Sequence, residues 1–320
     1  MSEVAVVGAG AWGTALALQA ARAGHRVTLV ARNAAAAAAI VARGENARLP
    51  GVPVPASVDV NDRIPSGADL LVWAVPAQQL RSSLMALGLP GSPIVVCAKG
   101  VEAGTHMLPL EVVAEVSPRH LQGVLTGPNF AHEIAAGLPA ASVVASSDAS
   151  LRELVRMCLG TNTFRLYGND DPLGAQLGGA AKNVIAIAAG AVIGAGLGEN
   201  ARAALVTRGL SELCRLAVAL GGRAETVMGL SGLGDLLLTC TGTSSRNFSL
   251  GYALGQGKKL ADILAGRTGV TEGVSTASAL VARAGNVELP ICNAVAELLM
   301  GIKTLEQSIA LLLSRPQRNE

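Results

Sequence analysis

The 320-residue chain is longer than one hydrophobic core usually supports, since single cores stop growing near ~250–300 residues, and two domains are expected. Half of its residues are hydrophobic, 15% are charged and 2% are aromatic, with a mean hydropathy of +0.45. The 25 basic and 23 acidic residues leave no excess to steer the chain to nucleic acid or a lipid surface, and so few aromatics exclude a base-stacking platform.

So apolar a composition first raises the question of a membrane. A spanning helix needs about 20 consecutive apolar residues. The longest uncharged stretch, residues 4–21, reaches 18 and contains Gly8, Gly10 and Gly13, while residues 82–98 are broken by Pro90 and Pro93. No membrane span is expected. Met1-Ser2-Glu3 offers no basic segment ahead of the apolar run, so no signal peptide is expected either. Cys97, Cys158, Cys214, Cys240 and Cys292 are odd in number, widely spaced and without a C-x-x-C pair, which fits buried reduced thiols in a cytoplasmic protein.

In chain order, a β-branched run at residues 4–7 precedes a glycine-rich turn and a helical pattern over 14–23. A second run at 26–31 precedes the Ala-rich residues 33–43, placed where a crossover helix belongs, alanine being the best helix former. Apolar runs at 70–75, 94–98, 123–126, 142–145 and 164–167 continue the pattern. Continuous apolar strands alternating with helices predict a doubly wound parallel sheet covered on both faces. After Gly168-Asn169-Asp170-Asp171-Pro172 the texture changes, and Leu205, Leu210, Leu213, Leu216 and Leu220 recur at helical spacing. The fold class is therefore α/β: a Rossmann-like domain over residues 1–171 and an all-helical domain over 172–320. The tail, residues 314–320, is expected to fray.

Gly8-Ala9-Gly10-Ala11-Trp12-Gly13 is G-x-G-x-x-G directly after a strand and opening a helix. The first glycine allows the tight turn, the second lets backbone N–H groups approach a pyrophosphate, and the third permits close helix–strand packing. Dinucleotide binding follows. An NAD site would place an acidic residue at the end of the second strand for the ribose hydroxyl; Arg32 stands there instead, and a guanidinium pairs with a 2′-phosphate. NADP is favoured over NAD.

In so apolar a chain a charge inside a hydrophobic run must find a partner or change its protonation state. Lys99 follows an apolar strand, Lys182 interrupts an otherwise uncharged segment over 172–198, and Asp235 sits among glycines and leucines. A desolvated lysine can exchange a proton with a carbonyl oxygen, or it can serve as half of a buried ion pair. Asp235 is the natural partner to orient Lys182. The loop Thr241-Gly242-Thr243-Ser244-Ser245-Arg246-Asn247 suits a phosphate dianion. His25, His106, His120 and His132 show no metal-ligand spacing.

The blocks GAGAWGTALA (residues 8–17), CAKGVE (97–102), GPNFAHEIAAGLPAA (127–141), QLGGAAKNVIAIAAG (176–190) and GLGDLLLTCTGTSSRN (232–247), with Thr271-Glu272-Gly273, resemble in order and spacing the bacterial NAD(P)-dependent glycerol-3-phosphate dehydrogenases. The resemblance implies reversible hydride transfer between NAD(P)H and dihydroxyacetone phosphate, giving sn-glycerol 3-phosphate for glycerophospholipid synthesis. It implies a catalytic set of Lys182, Lys99 and Asp235, with Lys182 as proton donor and acceptor and Lys99 touching both substrate and cofactor. Gly127, Asn129, Asp235, Ser245, Arg246 and Asn247 would meet the phosphorylated substrate. Ala11, Trp12, Arg32, Ala131, Arg246, Val270 and Glu272 would join Gly8, Gly10 and Gly13 at the cofactor. Two positions depart from the family, which often carries a hydroxyl or amide residue at Ala11 and a Ser or Thr at Asn129. A homodimer is expected. Two other readings stand beside this one: a 3-hydroxyacid or ketopantoate type NADP reductase, and a dinucleotide sensor without chemistry.

Overall fold

The computed structural model describes residues 1–267 and 269–316; of the expected frayed tail, 317–320 lie outside the described residues. The chain divides into two compact units, residues 1–99 with 108–176, and residues 100–107 with 177–320. The sequence-based division at residue 171 leaves 100–107 with the first domain, whereas the structure groups them with the second unit, where the His106 carbonyl accepts a hydrogen bond from the Arg283 guanidinium at 2.9 Å.

The first unit alternates strand and helix: β1 Glu3–Val7, α1 Ala11–Arg22, β2 Arg26–Val30, α2 Ala34–Arg43, β3 Val58–Asn61, β4 Leu70–Trp73, α3 Ala77–Ala86, β5 Ile94–Val96, α4 Pro109–Val116, β6 Gln122–Thr126, α5 Ala131–Ala135, β7 Ala140–Ala145, α6 Ala149–Leu159 and β8 Phe164–Asn169. They form an eight-stranded sheet in the order β3-β2-β1-β4-β5-β6-β7-β8. Strand order reverses between β1 and β4, and ligands of open α/β sheets bind beyond the carboxyl ends of the strands at such a reversal. The strands are apolar throughout because both faces are covered: Val4, Val6, Leu70, Val72, Ile94 and Val96 are fully buried.

Two features differ from the sequence-based expectation of a wholly parallel sheet. The edge strand β3 is an addition; its VDVN sequence buries only Val58, so it carries little apolar signal. And β7 pairs antiparallel with β6, then parallel with β8. The five residues of α5 rise about 7.5 Å, against about 17 Å along a five-residue strand, so the link after β6 does not return the chain to the start of that strand. It re-enters the sheet at the same end, placing Val143 opposite Thr126.

In the second unit and the segment leading into it run α7 Pro172–Gly194, α8 Gly198–Ala219, α9 Ala224–Met228, a π-helical turn Leu230–Gly234, α10 Asp235–Cys240, α11 Arg246–Gly255, α12 Leu260–Ala265, α13 Glu272–Ala284, α14 Pro290–Leu299 and α15 Leu305–Leu313. By length and composition alone α7 could cross a membrane, but 89% of its apolar window is buried inside the protein. It is a core helix. Its closest packing is made by glycines one turn apart. A Cβ on Gly190 or Gly194 would collide with the Phe248 or Tyr252 carbonyl of α11, and one on Gly251 or Gly255 with the Ile187 or Ala191 carbonyl of α7. Residues at i and i+4 share a helix face, so the two pairs let these backbones touch.

Candidate functional site

At the carboxyl end of β1 the chain turns through Gly8, whose φ of +107° L side chains rarely adopt. Its N–H donates to the Val30 carbonyl of β2 at 2.9 Å. A Cβ on Gly8 would lie 2.8 Å from the Ala74 carbonyl oxygen, and one on Gly13 would overlap the Gly8 carbonyl. The fold itself therefore requires those two glycines. Gly10 is different: a Cβ there would meet no protein atom within 4 Å. The protein's own packing does not explain its missing side chain, while close approach of a phosphate to the backbone does. Gly10 also caps α1 without offering a side-chain acceptor, and the first turn of α1, with Ala11, Trp12 and Gly13, has no acidic residue. The positive end of the helix dipole is thus left for an anion. The turn fits a dinucleotide pyrophosphate.

Other predicted residues of the first unit gather at the same edge of the sheet. Arg32 lies exposed, two residues past β2. Trp12 reaches Cys97 at the end of β5; burial pushes the Cys97 thiol up to about 12, against the opposing pull of the Trp12 side chain and the Lys99 charge. That thiol stays protonated and inert. Lys99 Nζ donates to the Gly127 carbonyl at 2.9 Å, fixing the turn after β6. Gly127 has φ +142°, and a Cβ there would press on Ser142. Asn129 Nδ2 donates to Ser142 Oγ at 2.6 Å, and Ala131 opens α5. The C-terminal carbonyls of α5, Ile134 and Ala135, accept from the Arg22 guanidinium of α1.

In the second unit Lys182, 7% exposed, meets Asp235, 1% exposed. Lys182 Nζ lies 2.5 Å from Asp235 Oδ1 and 2.9 Å from Thr239 Oγ1. The Thr239 hydroxyl donates in turn to the Asp235 carbonyl at 2.6 Å, so its lone pairs face the ammonium. The π-helical turn sets Asp235 at the start of α10. It packs on α7 where a Cβ on Gly178 would lie 2.8 Å from the Ser231 carbonyl oxygen. Such turns recur at functional sites. A buried ammonium held against a carboxylate and a hydroxyl can hand a proton to a developing alkoxide.

Ser245 caps α11 through its hydroxyl. Asn247 is used at both ends of its amide: Nδ2 donates to Asn183 Oδ1 at 2.8 Å, and Oδ1 accepts from the Gly273 N–H at 3.0 Å. It braces α7, α11 and α13 at one point. Arg246 is exposed, with its guanidinium against Gly269. Arg267 donates to the Arg246 carbonyl at 2.7 Å and to Ser249 at 2.9 Å. Burial first, then the Arg246 charge, pulls Arg267 below its ordinary value. Two adjacent guanidiniums favour an anion. Val270 is exposed and Glu272 opens α13. Sequence reasoning missed Thr239, Asn183, Ser142 and Arg267. Thr239 was accessible to it, lying one helical turn beyond Asp235.

The sequence pattern of the NAD-dependent glycerol-3-phosphate dehydrogenase N-terminus matches residues 3–152, and that of the C-terminus matches residues 171–310. The chain belongs to the NAD-dependent glycerol-3-phosphate dehydrogenase family. A relative from Acidiphilium cryptum (strain JF-5), named glycerol-3-phosphate dehydrogenase [NAD(P)+], is 55% identical, with 99% of this chain and 98% of that protein covered. The crystal structure of glycerol-3-phosphate dehydrogenase from Coxiella burnetii superimposes with a TM-score of 0.93 at 35% identity, covering 98% of this chain and 99% of that one. A PanE/ApbA family ketopantoate reductase from Ralstonia eutropha JMP134 gives a TM-score of 0.59 at 19% identity, over 94% of this chain and 98% of that one. That is a likeness of fold alone, and the ketopantoate alternative has no further support.

Proposed function

We propose that this member of the glycerol-3-phosphate dehydrogenase family catalyses reversible hydride transfer between NAD(P)H and dihydroxyacetone phosphate, giving sn-glycerol 3-phosphate, the backbone precursor of glycerophospholipids. The buried Lys182 ammonium, aimed by Asp235 and Thr239, carries the reading. When bound, the nicotinamide supplies the hydride chemistry. Lys182 gives a proton to the ketone oxygen in reduction and takes it back in oxidation, while Asp235 orients the ammonium. Lys99 contacts substrate and cofactor and holds the Gly127 turn.

In this reading Ser245, Arg246 and Asn247 anchor the substrate phosphate, and Gly127 and Asn129 also meet the substrate. Binding energy from that remote phosphate is then available to orient the reacting carbon. Gly8, Gly10, Ala11, Trp12, Gly13, Arg32 and Ala131 hold the dinucleotide, joined by Arg246, Val270 and Glu272. Ala11 contributes backbone only, one side-chain contact fewer than many relatives. Arg32 favours NADP. The five free cysteines support a cytoplasmic setting. A homodimer belongs to this reading, and light scattering would test it.

Following NADPH and NADH oxidation with dihydroxyacetone phosphate, a 2-oxo acid and a 3-oxo acid tests the reading. Turnover with the keto phosphate alone is expected. Turnover with an oxo acid instead, or with none of the three, would overturn it; the last result favours a sensor.

A further inference from the structure

We infer that Asn129 reads a hydrogen-bond donor on the bound ligand through its side-chain carbonyl, an assignment that rests on the function proposed above. Its amide nitrogen is already engaged, donating to Ser142 Oγ at 2.6 Å and facing the Ala141 carbonyl at 3.4 Å. A carbonyl only accepts, so turning the amide over would set oxygen against oxygen. The Ala141 carbonyl sets this orientation, and Ser142, fully buried on β7, accepts from the amide in it. The other end of the amide, Oδ1, is closed off from water and has no partner among the described residues.

The same turn holds a second such atom. Thr126, 5% exposed, has its hydroxyl closed off with no partner among the described residues. Buried polar groups are nearly always paired, so two unsatisfied oxygens within four residues need an account. The turn between them is held firm: Gly127 takes a φ of +142°, and its carbonyl accepts from Lys99. Both atoms stand at the carboxyl end of β6, the edge of the sheet where β1 carries the dinucleotide turn.

Chemistry narrows the partner. A neutral amide oxygen accepts and does not donate, so it pairs neither with a phosphate dianion nor with a ketone oxygen. The proposed ligands carry several donors, the ribose hydroxyls and adenine amine among them; the two beside the reacting centre are the hydroxyl of dihydroxyacetone phosphate and the carboxamide N–H of the nicotinamide. A serine here could turn its hydroxyl to either kind of partner. Asn129 in this orientation selects for a proton.

The test compares two ligand pairs on the wild-type protein, Asn129→Leu and Ser142→Ala. One pair is dihydroxyacetone phosphate and acetol phosphate, which carries methyl in place of hydroxymethyl; the other is NADH and its 3-acetylpyridine analogue, which lacks the carboxamide N–H. kcat/KM is measured for both pairs and Kd by calorimetry for the dinucleotides. The wild type should prefer the donor-bearing ligand of one pair by about tenfold or more. Asn129→Leu should erase that preference, and Ser142→Ala, which removes the nearer of the two acceptors of the amide nitrogen, should weaken it. The pair affected tells which donor is read. Wild-type indifference in both pairs, or a preference that survives Asn129→Leu and Ser142→Ala, would overturn the assignment. A wild type that reduces no keto phosphate would instead overturn the proposed reaction, and the dinucleotide Kd ratio would then decide the role of Asn129.

Discussion

In the first unit Gly10 stands in open space at the start of α1, whereas in the second Gly190, Gly194, Gly251 and Gly255 are each pressed against the backbone of the facing helix. One glycine leaves room for a ligand; the others let two helices close until their backbones touch. The site residues divide along a similar line. The first unit offers backbone at the glycine turn and the N-terminus of α1, with the Arg32, Lys99 and Asn129 side chains at the same edge of its sheet. The second offers side chains, with Lys182, Asp235 and Thr239 in one hydrogen-bonded cluster and Arg246 beside Arg267. A glycine-rich composition thus hides two physical roles that substitution can separate.

The sharpest separation is expected from a pair of glycine-to-alanine changes. Gly10→Ala should fold with an unchanged Tm yet lose affinity for NADPH by about tenfold or more, since the methyl enters only the space a pyrophosphate would use. Gly251→Ala should keep that affinity in whatever protein folds and lose stability. Helix propensity alone predicts a gain of about 1 kcal/mol. The collision with the Ile187 carbonyl, an overpacking cost of about 1–3 kcal/mol or more, outweighs it. A Gly251→Ala protein as stable as wild type would break the comparison.

Arg246→Ala comes next. It should raise KM for dihydroxyacetone phosphate by roughly tenfold, through loss of a charge-assisted contact, and change cofactor affinity less. Arg32→Ala should lower the NADPH:NADH affinity ratio several-fold; an unchanged ratio would remove Arg32 from the ribose site.

The smallest effect concerns Glu212, whose carboxylate accepts from the Ile291 and Cys292 N–H groups at the start of α14 at 2.7 and 3.2 Å. Burial pushes its carboxyl up, against the downward pull of those backbone contacts. The folded protein then holds a proton that the unfolded chain has released. Glu212 therefore stabilises fully below the ordinary glutamate range, and that contribution is lost as pH rises through the raised value. Tm measured against pH should fall across this window, and Glu212→Gln should flatten the fall.

Much of this was legible in the sequence, for identifiable reasons. The β1–α1–β2 unit announces itself because a buried parallel strand must be continuously apolar and the turn after it must be glycine. Lys182 and Asp235 were conspicuous because isolated charges in apolar runs need partners, and they meet at 2.5 Å. Strand direction was not legible: the apolar run of β7 reads alike either way, and the shortness of α5 decides it. The π-helical turn was hidden for a similar reason, since it depends on backbone meeting backbone at Gly178 and Gly232. Arg267 and Ser142 act through neighbours distant in sequence, and no local spacing marks them.

The central claim is that Lys182 moves the proton while other residues hold the ligands. The most direct test is single-turnover NADPH oxidation by Lys182→Ala with saturating dihydroxyacetone phosphate, alongside calorimetric titration of NADPH into the same protein. The account predicts a rate lower by ~10²–10⁴-fold, the usual range for removing a general acid, with the NADPH Kd unchanged. A near-wild-type rate would contradict it.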